Sequence, residues 1–224
     1  MRAMILAAGR GERMRPLTDN TPKPLLLAAG KSLIERTIEQ LVMAEFTELV
    51  INHAYLGRQI ETALGDGSKF GATICYSPEG ETGLETAGGI IHALSLLGNA
   101  PFLVVNGDIA TNFPFATLKT QAVDLAHLVL VPNPEHHASG DFQLHPDNTL
   151  SSDGENKWTF SGIGIYSPQF FNTAPKDSTK LAPLLRTAMS SQRVTGQVFE
   201  GFWMDIGTPE RLQTLENHLA PSPI

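Results

Sequence analysis

Cysteine is almost missing from this sequence. Cys75 stands alone among 224 residues, which excludes a disulfide framework and a cysteine-rich zinc site. Its setting in the apolar run Ala72-Thr73-Ile74-Cys75-Tyr76 predicts a small core residue. There is no excess of positive charge either. The net charge of −7 argues against wholesale nucleic-acid binding, so the cations near the amino terminus read as local and ligand-directed. No apolar run is long enough to span a membrane, and Arg10, Glu12 and Arg13 are unlike a secretory leader. A cytoplasmic protein without a membrane partner is the expectation. Internal repeats and low-complexity segments are also missing, and the length suits one α/β domain with a sizeable core. His136 and His137 lack a third ligand at metal-binding spacing and read as a flexible loop. No Ser/His/Asp set is evident.

What the sequence does have is concentrated near its start. The apolar run Ala3-Met4-Ile5-Leu6-Ala7 reads as a buried parallel strand. A loop then leaves its carboxyl end, the place where ligands bind in open α/β sheets. Ala8, Gly9 and Gly11 lack bulk, so backbone N–H groups there can approach a phosphate closely. Arg13, Arg15 and Lys23 bring cationic donors into the same segment, while Pro16, Pro22 and Pro24 stiffen it. Lys23, braced between two prolines, reads as an exposed loop cation. Two commoner phosphate loops are excluded. The dinucleotide fingerprint needs glycine where Met14 stands, and a Walker loop ending in Gly30-Lys31-Ser32 needs glycine where Leu25 stands.

The remaining pattern predicts alternating strands and helices. Ser32 and Glu35 have capping-box spacing and open a helix to about Glu45. A strand from Glu48 to Asn52 ends beside His53, read as a structural histidine, and a helix follows from Leu56 to Leu64. After a strand at Ala72–Tyr76 comes a long glycine-rich loop, Ser77 to Gly89, and then a helix from Ile90 to Leu97. Phe102–Val105 is an apolar strand ending in Asn106-Gly107-Asp108, which puts a carboxylate at the ligand edge of the sheet. A short helix is expected over Thr111–Leu118, and strands at Leu125–Val131, Gly140–Leu144 and Trp158–Tyr166. A last helix opens at Thr208-Pro209, just after Asp205, a second carboxylate at a strand end.

The segment Leu6-Ala7-Ala8-Gly9-x-Gly11-x-Arg13-Met14-x-Pro16-Leu17-Thr18, followed by Pro22-Lys23-Pro24, resembles the signature of the sugar-1-phosphate nucleotidyltransferases. Ser77-Pro78-Glu79-Gly80 and Gly140-Asp141-Phe142 point within it to the uridylyl-transferring enzymes of cell-wall recycling. The resemblance implies a Rossmann-like, mostly parallel sheet flanked by helices, with a small β-rich sugar-binding insertion. Residues 1–110 would be the nucleotide half of a single domain spanning 1–224. Residues 111–224 would be the sugar-phosphate half, with a lid around 132–160.

The resemblance also assigns roles. Leu6, Ala8, Gly9, Gly11, Glu12, Arg13, Lys23, Glu79, Gly80, Thr86 and Asn106 would contact the nucleotide. Asp141, Glu155, Gly162 and Lys180 would contact the sugar phosphate. Asp108 and Asp205 would hold Mg²⁺, and Arg15 and Lys23 would act on the phosphates. The partners implied are a nucleoside triphosphate, UTP first, and a sugar 1-phosphate, and a monomer is slightly favoured. Such a reaction needs no general base, because a phosphomonoester with a second pKa near ~6 is already anionic. It needs positioning and charge neutralisation. Base and sugar identity stay open on the residues alone. GTP with mannose 1-phosphate, CTP with choline phosphate, or a non-catalytic nucleotide sensor are the alternatives.

Overall fold

A computed structural model describes residues 1–172 and 179–220. Its main sheet is built from β1 (Ala3–Leu6), β4 (Glu48–His53), β5 (Thr73–Pro78), β6 (Phe102–Asn106), β8 (Ala126–Val131), β11 (Lys157–Tyr166) and β12 (Val194–Val198). Their lateral order is β5-β4-β1-β6-β11-β8-β12. All run parallel except β11, which is antiparallel to both neighbours. The other strands are short: β2 (Leu27–Ala28), β3 (Lys31–Ser32), β7 (Ile109–Thr111), β9 (Phe142–Leu144), β10 (Leu150–Ser151) and β13 (Trp203–Asp205). The helices are α1 (Leu33–Met43), α2 (Gly57–Leu64), α3 (Glu85–Leu97), α4 (Pro168–Asn172), α5 (Leu181–Ser190) and α6 (Pro209–Leu219).

The central strands are apolar on both faces because both faces are covered. Met4, Val50 and Val104 join a core with Ile90 and Ala93 of α3 and Leu184, Leu185 and Ala188 of α5. Their neighbours Ile5, Ile51 and Val105 point the other way and pack with Ile34, Ile38 and Leu41 of α1. This alternation is the strand period of two. The reciprocal Ser32–Glu35 capping box starts α1.

β11 changes partners along its length. Ile163–Tyr166 pair with β6, while Lys157 and Trp158 pair with β9, and the register against β8 shifts between Phe160 and Ile163. Gly162 occupies that bulge at φ +81°, where an ideal Cβ would lie 2.5 Å from Asn106 Nδ2. A side chain there is strained and collides. Gly162→Ala is therefore expected to lower stability by roughly 1–3 kcal/mol, measured by urea unfolding. An unchanged midpoint would show that the bulge relaxes freely.

Three expectations are corrected. Cys75 is exposed, because β5 pairs only with β4 at the sheet edge and Cys75 sits on the solvent side of its alternation. Helix α3 begins at Glu85 rather than Ile90. Gly88 and Gly89 lie within it because neighbours press close: a Cβ on Gly89 would collide with Glu79 and Asn52. The expected helix over Thr111–Leu118 is a strand end followed by a 3₁₀ helix at Phe115–Thr120, since Ile109–Thr111 pair with β13 instead.

Candidate active site

The carboxyl ends of β1, β4 and β5 are tied together by a buried polar chain. Ala7 N–H donates to Asn52 Oδ1 at 2.9 Å, and Asn52 Nδ2 donates to Glu79 Oε1 at 2.6 Å. Glu79 Oε2 then accepts the Leu84 N–H at 2.7 Å. Asn52 is 3% exposed and Glu79 9%, so each bond satisfies a group that water does not reach. The effect is to fix the first loop against the start of α3. Glu79, expected at the base or sugar, spends both carboxylate oxygens on this bracing.

Gly11 takes φ +67° and caps a 3₁₀ helix over Glu12–Met14. Its carbonyl accepts from Met14 N–H and Thr18 Oγ1. An ideal Cβ on Gly11 would lie 3.0 Å from Lys23 Cβ, so the missing side chain admits the lysine stem. Lys23 is consequently buried, 8% exposed, and not the exposed loop cation expected. Its Nζ lies 2.5 Å from Asp108 Oδ2. Arg10 stacks over Tyr55 with its guanidinium carbon 5.2 Å from the ring centroid.

These elements enclose an open cavity of about 610 Å³, within the size range of small-molecule sites. Leu6, Ala8, Gly9, Gly11, Glu12, Arg13, Lys23, Glu79, Thr86, Asn106 and Asp108 all line it, as do Asn52 and Tyr55. Gly80, at φ +80°, is exposed and outside the wall.

A two-stranded ladder joins the segments that carry the two aspartates. Asp205 of β13 pairs with Ile109 of β7, and the Ile206 N–H donates to the Asp108 carbonyl at 2.7 Å. The ladder thus joins the backbone at Asp108 and Asp205 from positions far apart in sequence. Each faces a cation. Lys23 holds Asp108, and Arg211 Nη1 lies 2.5 Å from both oxygens of Asp205. Arg211 also donates to His136 Nε2 at 2.7 Å, and that nitrogen lies 3.1 Å from Asp205 Oδ1. The geometry of α6 explains the arginine. Thr208 caps the helix through the Arg211 N–H and Pro209 occupies its first position, so the Arg211 side chain folds back over Gly207 at the cavity edge.

The donor set suits Mg²⁺. Among the described residues no three His, Cys, Asp or Glu side chains converge as metal ligands. Asp108 and Asp205, on the joined β7 and β13 segments, offer carboxylate oxygens of the kind Mg²⁺ takes, and Mg²⁺ keeps water and phosphate oxygens for its other positions.

The remaining assigned residues are dispersed. Arg15 is exposed, its Nε 3.3 Å from Asp19, outside the cavity wall. Asp141 accepts the Phe160 N–H at 2.8 Å, contacts His137 Nε2 at 3.1 Å and lines a second cavity. Glu155 lies in an exposed turn, and Gly162 stands behind Asn106. Lys180 is exposed at the amino terminus of α5. The Thr179 carbonyl beside it accepts from the N–H groups of Ala87 and Gly88, which joins the starts of α5 and α3.

Sequence reasoning missed Asn52, Tyr55 and Arg211, and read His136 as part of a flexible loop, where it instead contacts Asp205 and Arg211. Asn52 had a readable signal, a polar side chain ending the apolar run Leu49-Val50-Ile51. Arg211 and His136 had none, since only the tertiary fold carries them to Asp205.

Residues 2–142 match the family described as nucleotidyl transferase. Over 221 residues the chain is 57% identical to the N-acetylmuramate alpha-1-phosphate uridylyltransferase of Neisseria meningitidis serogroup B, covering 95% of this chain and 96% of that protein. It is 33% identical to the protein of the same name from Caulobacter vibrioides, covering 97% and 96%. A mannose-1-phosphate guanylyltransferase catalytic subunit beta from Drosophila pseudoobscura pseudoobscura is 31% identical, with 95% of this chain and 61% of that one covered. The fold is shared with HddC from Yersinia pseudotuberculosis complexed with GMP-PN, at a TM-score of 0.79 and 19% identity, covering 98% of this chain and 99% of that one.

Proposed function

The chain belongs to the nucleotidyl transferase family, and from that premise we propose that it transfers a uridylyl group from UTP to N-acetylmuramate 1-phosphate, releasing pyrophosphate. The observation that carries the reading is the Lys23–Asp108 pair at the cavity lined by the glycine loop, with the Asp205 strand joined to the Asp108 backbone behind it. The 57% identity to a uridylyltransferase along nearly the whole chain supports the choice of substrates.

In this mechanism the protein positions two polyanions and offsets their charge. Backbone N–H groups of the Gly9–Glu12 loop cradle the triphosphate, and Arg13 lines the same wall. Lys23, set in place by its buried stem, presents its ammonium where charge builds up at the reacting phosphate. Arg15 would close on the departing pyrophosphate from its exposed position beside Asp19. Asp108 and Asp205 would hold Mg²⁺, which supplies charge neutralisation on the phosphates when bound. The acceptor phosphate is the nucleophile and needs no base. Lys180, Asp141, Glu155 and Gly162 belong to the acceptor side of the site. Among the described residues no helix is long and apolar enough to cross a membrane. We place the reaction in the cytoplasm, carried out by a monomer with no nucleic-acid or membrane partner.

The reading has a direct test in base choice. The loop carrying Glu81, Thr82 and Gly83, with Thr86 at the start of α3, lines the cavity, and polar groups matched to uracil stay unpaired against cytosine. With N-acetylmuramate 1-phosphate as acceptor, kcat/KM for CTP is expected to be at least ~10²-fold below that for UTP. Equal efficiency would contradict the assignment.

A further inference from the structure

A second cavity, of about 530 Å³, opens between the β9–β11 segment and α5. Asp141, Asp153 and Lys157 line one side, Ala182 and Arg186 the other, and His137 its margin. Two connections link it to Asp205 and to the first cavity. His136 touches Asp205 and Arg211, while the next residue, His137, lines the second cavity, one Cα step of ~3.8 Å away. On the far side, the Thr179 carbonyl binds the first turn of α3, whose Glu85 and Thr86 line the nucleotide cavity. The helix that carries Ala182 and Arg186 starts two residues later.

The second cavity has cations to spare. Among the described residues, neither the Lys157 ammonium nor the Arg186 guanidinium has a hydrogen-bond or ion-pair partner. The Asp141 carboxylate is already bonded to the Phe160 N–H and faces His137. Asp153 is exposed. Ala182, one helical turn before Arg186 on the same face, leaves room beside the guanidinium. With the 1-phosphate directed to the reacting centre in the first cavity, a neutral sugar ring has no use for such a pair. N-acetylmuramate differs from the neutral N-acetylhexosamines by an ether-linked carboxylate. We propose that Arg186, with Lys157, binds the carboxylate of the acceptor sugar in this second cavity and so selects an acidic sugar phosphate over a neutral one. The inference rests on the uridylyl-transfer reading. Guanidinium suits the task because its planar fork matches a carboxylate in two parallel bonds.

The test is kcat/KM for N-acetylmuramate 1-phosphate and for N-acetylglucosamine 1-phosphate, each with UTP, in the wild type, Arg186→Gln, Arg186→Lys and Lys157→Gln. The acid-to-neutral ratio is expected to fall at least about tenfold in Arg186→Gln, chiefly through KM for the acid sugar. Lys157→Gln is expected to lower it less, and Arg186→Lys to recover part of the loss. Melting temperature and KM for UTP report on folding and on the nucleotide cavity. A ratio within twofold of wild type in both glutamine variants overturns the carboxylate site alone. A wild type that turns over the neutral sugar phosphate but not the acidic one overturns both the site and the reading it rests on.

Discussion

Asp108→Asn is expected to lower turnover at least ~10²-fold, the scale of losing one contact to transition-state charge, and added Mg²⁺ should not restore it. The substitution keeps the shape of the side chain and the hydrogen bond from Lys23, whose Nζ lies 2.5 Å from Oδ2. It removes only the charge, which is what a hard cation requires. Asp108 lies in the tight turn between β6 and β7, and its carbonyl is held by Ile206 N–H, so the backbone should not move. Calorimetric titration of the free protein with Mn²⁺ should show weakened binding in the same variant. Near wild-type turnover at saturating Mg²⁺ would remove Asp108 from the site.

Lys23→Met separates two roles that the structure combines. The lysine stem packs against Gly11, and its ammonium neutralises an aspartate whose side chain is 36% exposed. Methionine keeps most of the stem. Loss of the ion pair should then cost no more than about 1–2 kcal/mol of stability, because water still reaches Asp108. The rate should fall by the equivalent of about 2.7–4 kcal/mol. Lys23→Ala, which also empties the stem's place, should melt lower while losing the same rate. Lys23→Arg should rescue only in part, since a planar fork does not replace a compact ammonium in so narrow a place. A Lys23→Met protein that melts far below wild type yet keeps its single-turnover rate would make the lysine structural.

The glycine loop, the two strand-end aspartates and the Ser32 cap were legible because each depends on neighbours in sequence. Strand patterning likewise predicted β1, β4, β6, β8 and β11, whose apolar runs leave few alternatives. The misreadings share a different cause. Helix α3 starts five residues early because its amino-terminal N–H groups meet the Thr179 carbonyl, and no local pattern announces a cap supplied from so far along the chain. Cys75 was assigned to the core because an apolar run does not say whether its strand lies at the sheet's edge. Lys23 read as exposed because only the fold shows that Gly11 makes room for its stem. The bond from Asn52 to Glu79 was illegible for the same kind of reason: Asn52 comes from another strand.

The central claim is uridylyl transfer to an acidic sugar phosphate. Its most direct measurement is pyrophosphate release by the purified protein with Mg²⁺, UTP and N-acetylmuramate 1-phosphate, set against GTP with mannose 1-phosphate. Pyrophosphate should form stoichiometrically with the uridine diphosphate sugar in the first reaction, and at least ~10²-fold more slowly in the second. No pyrophosphate from the first pair, or faster release from the second, would contradict the account.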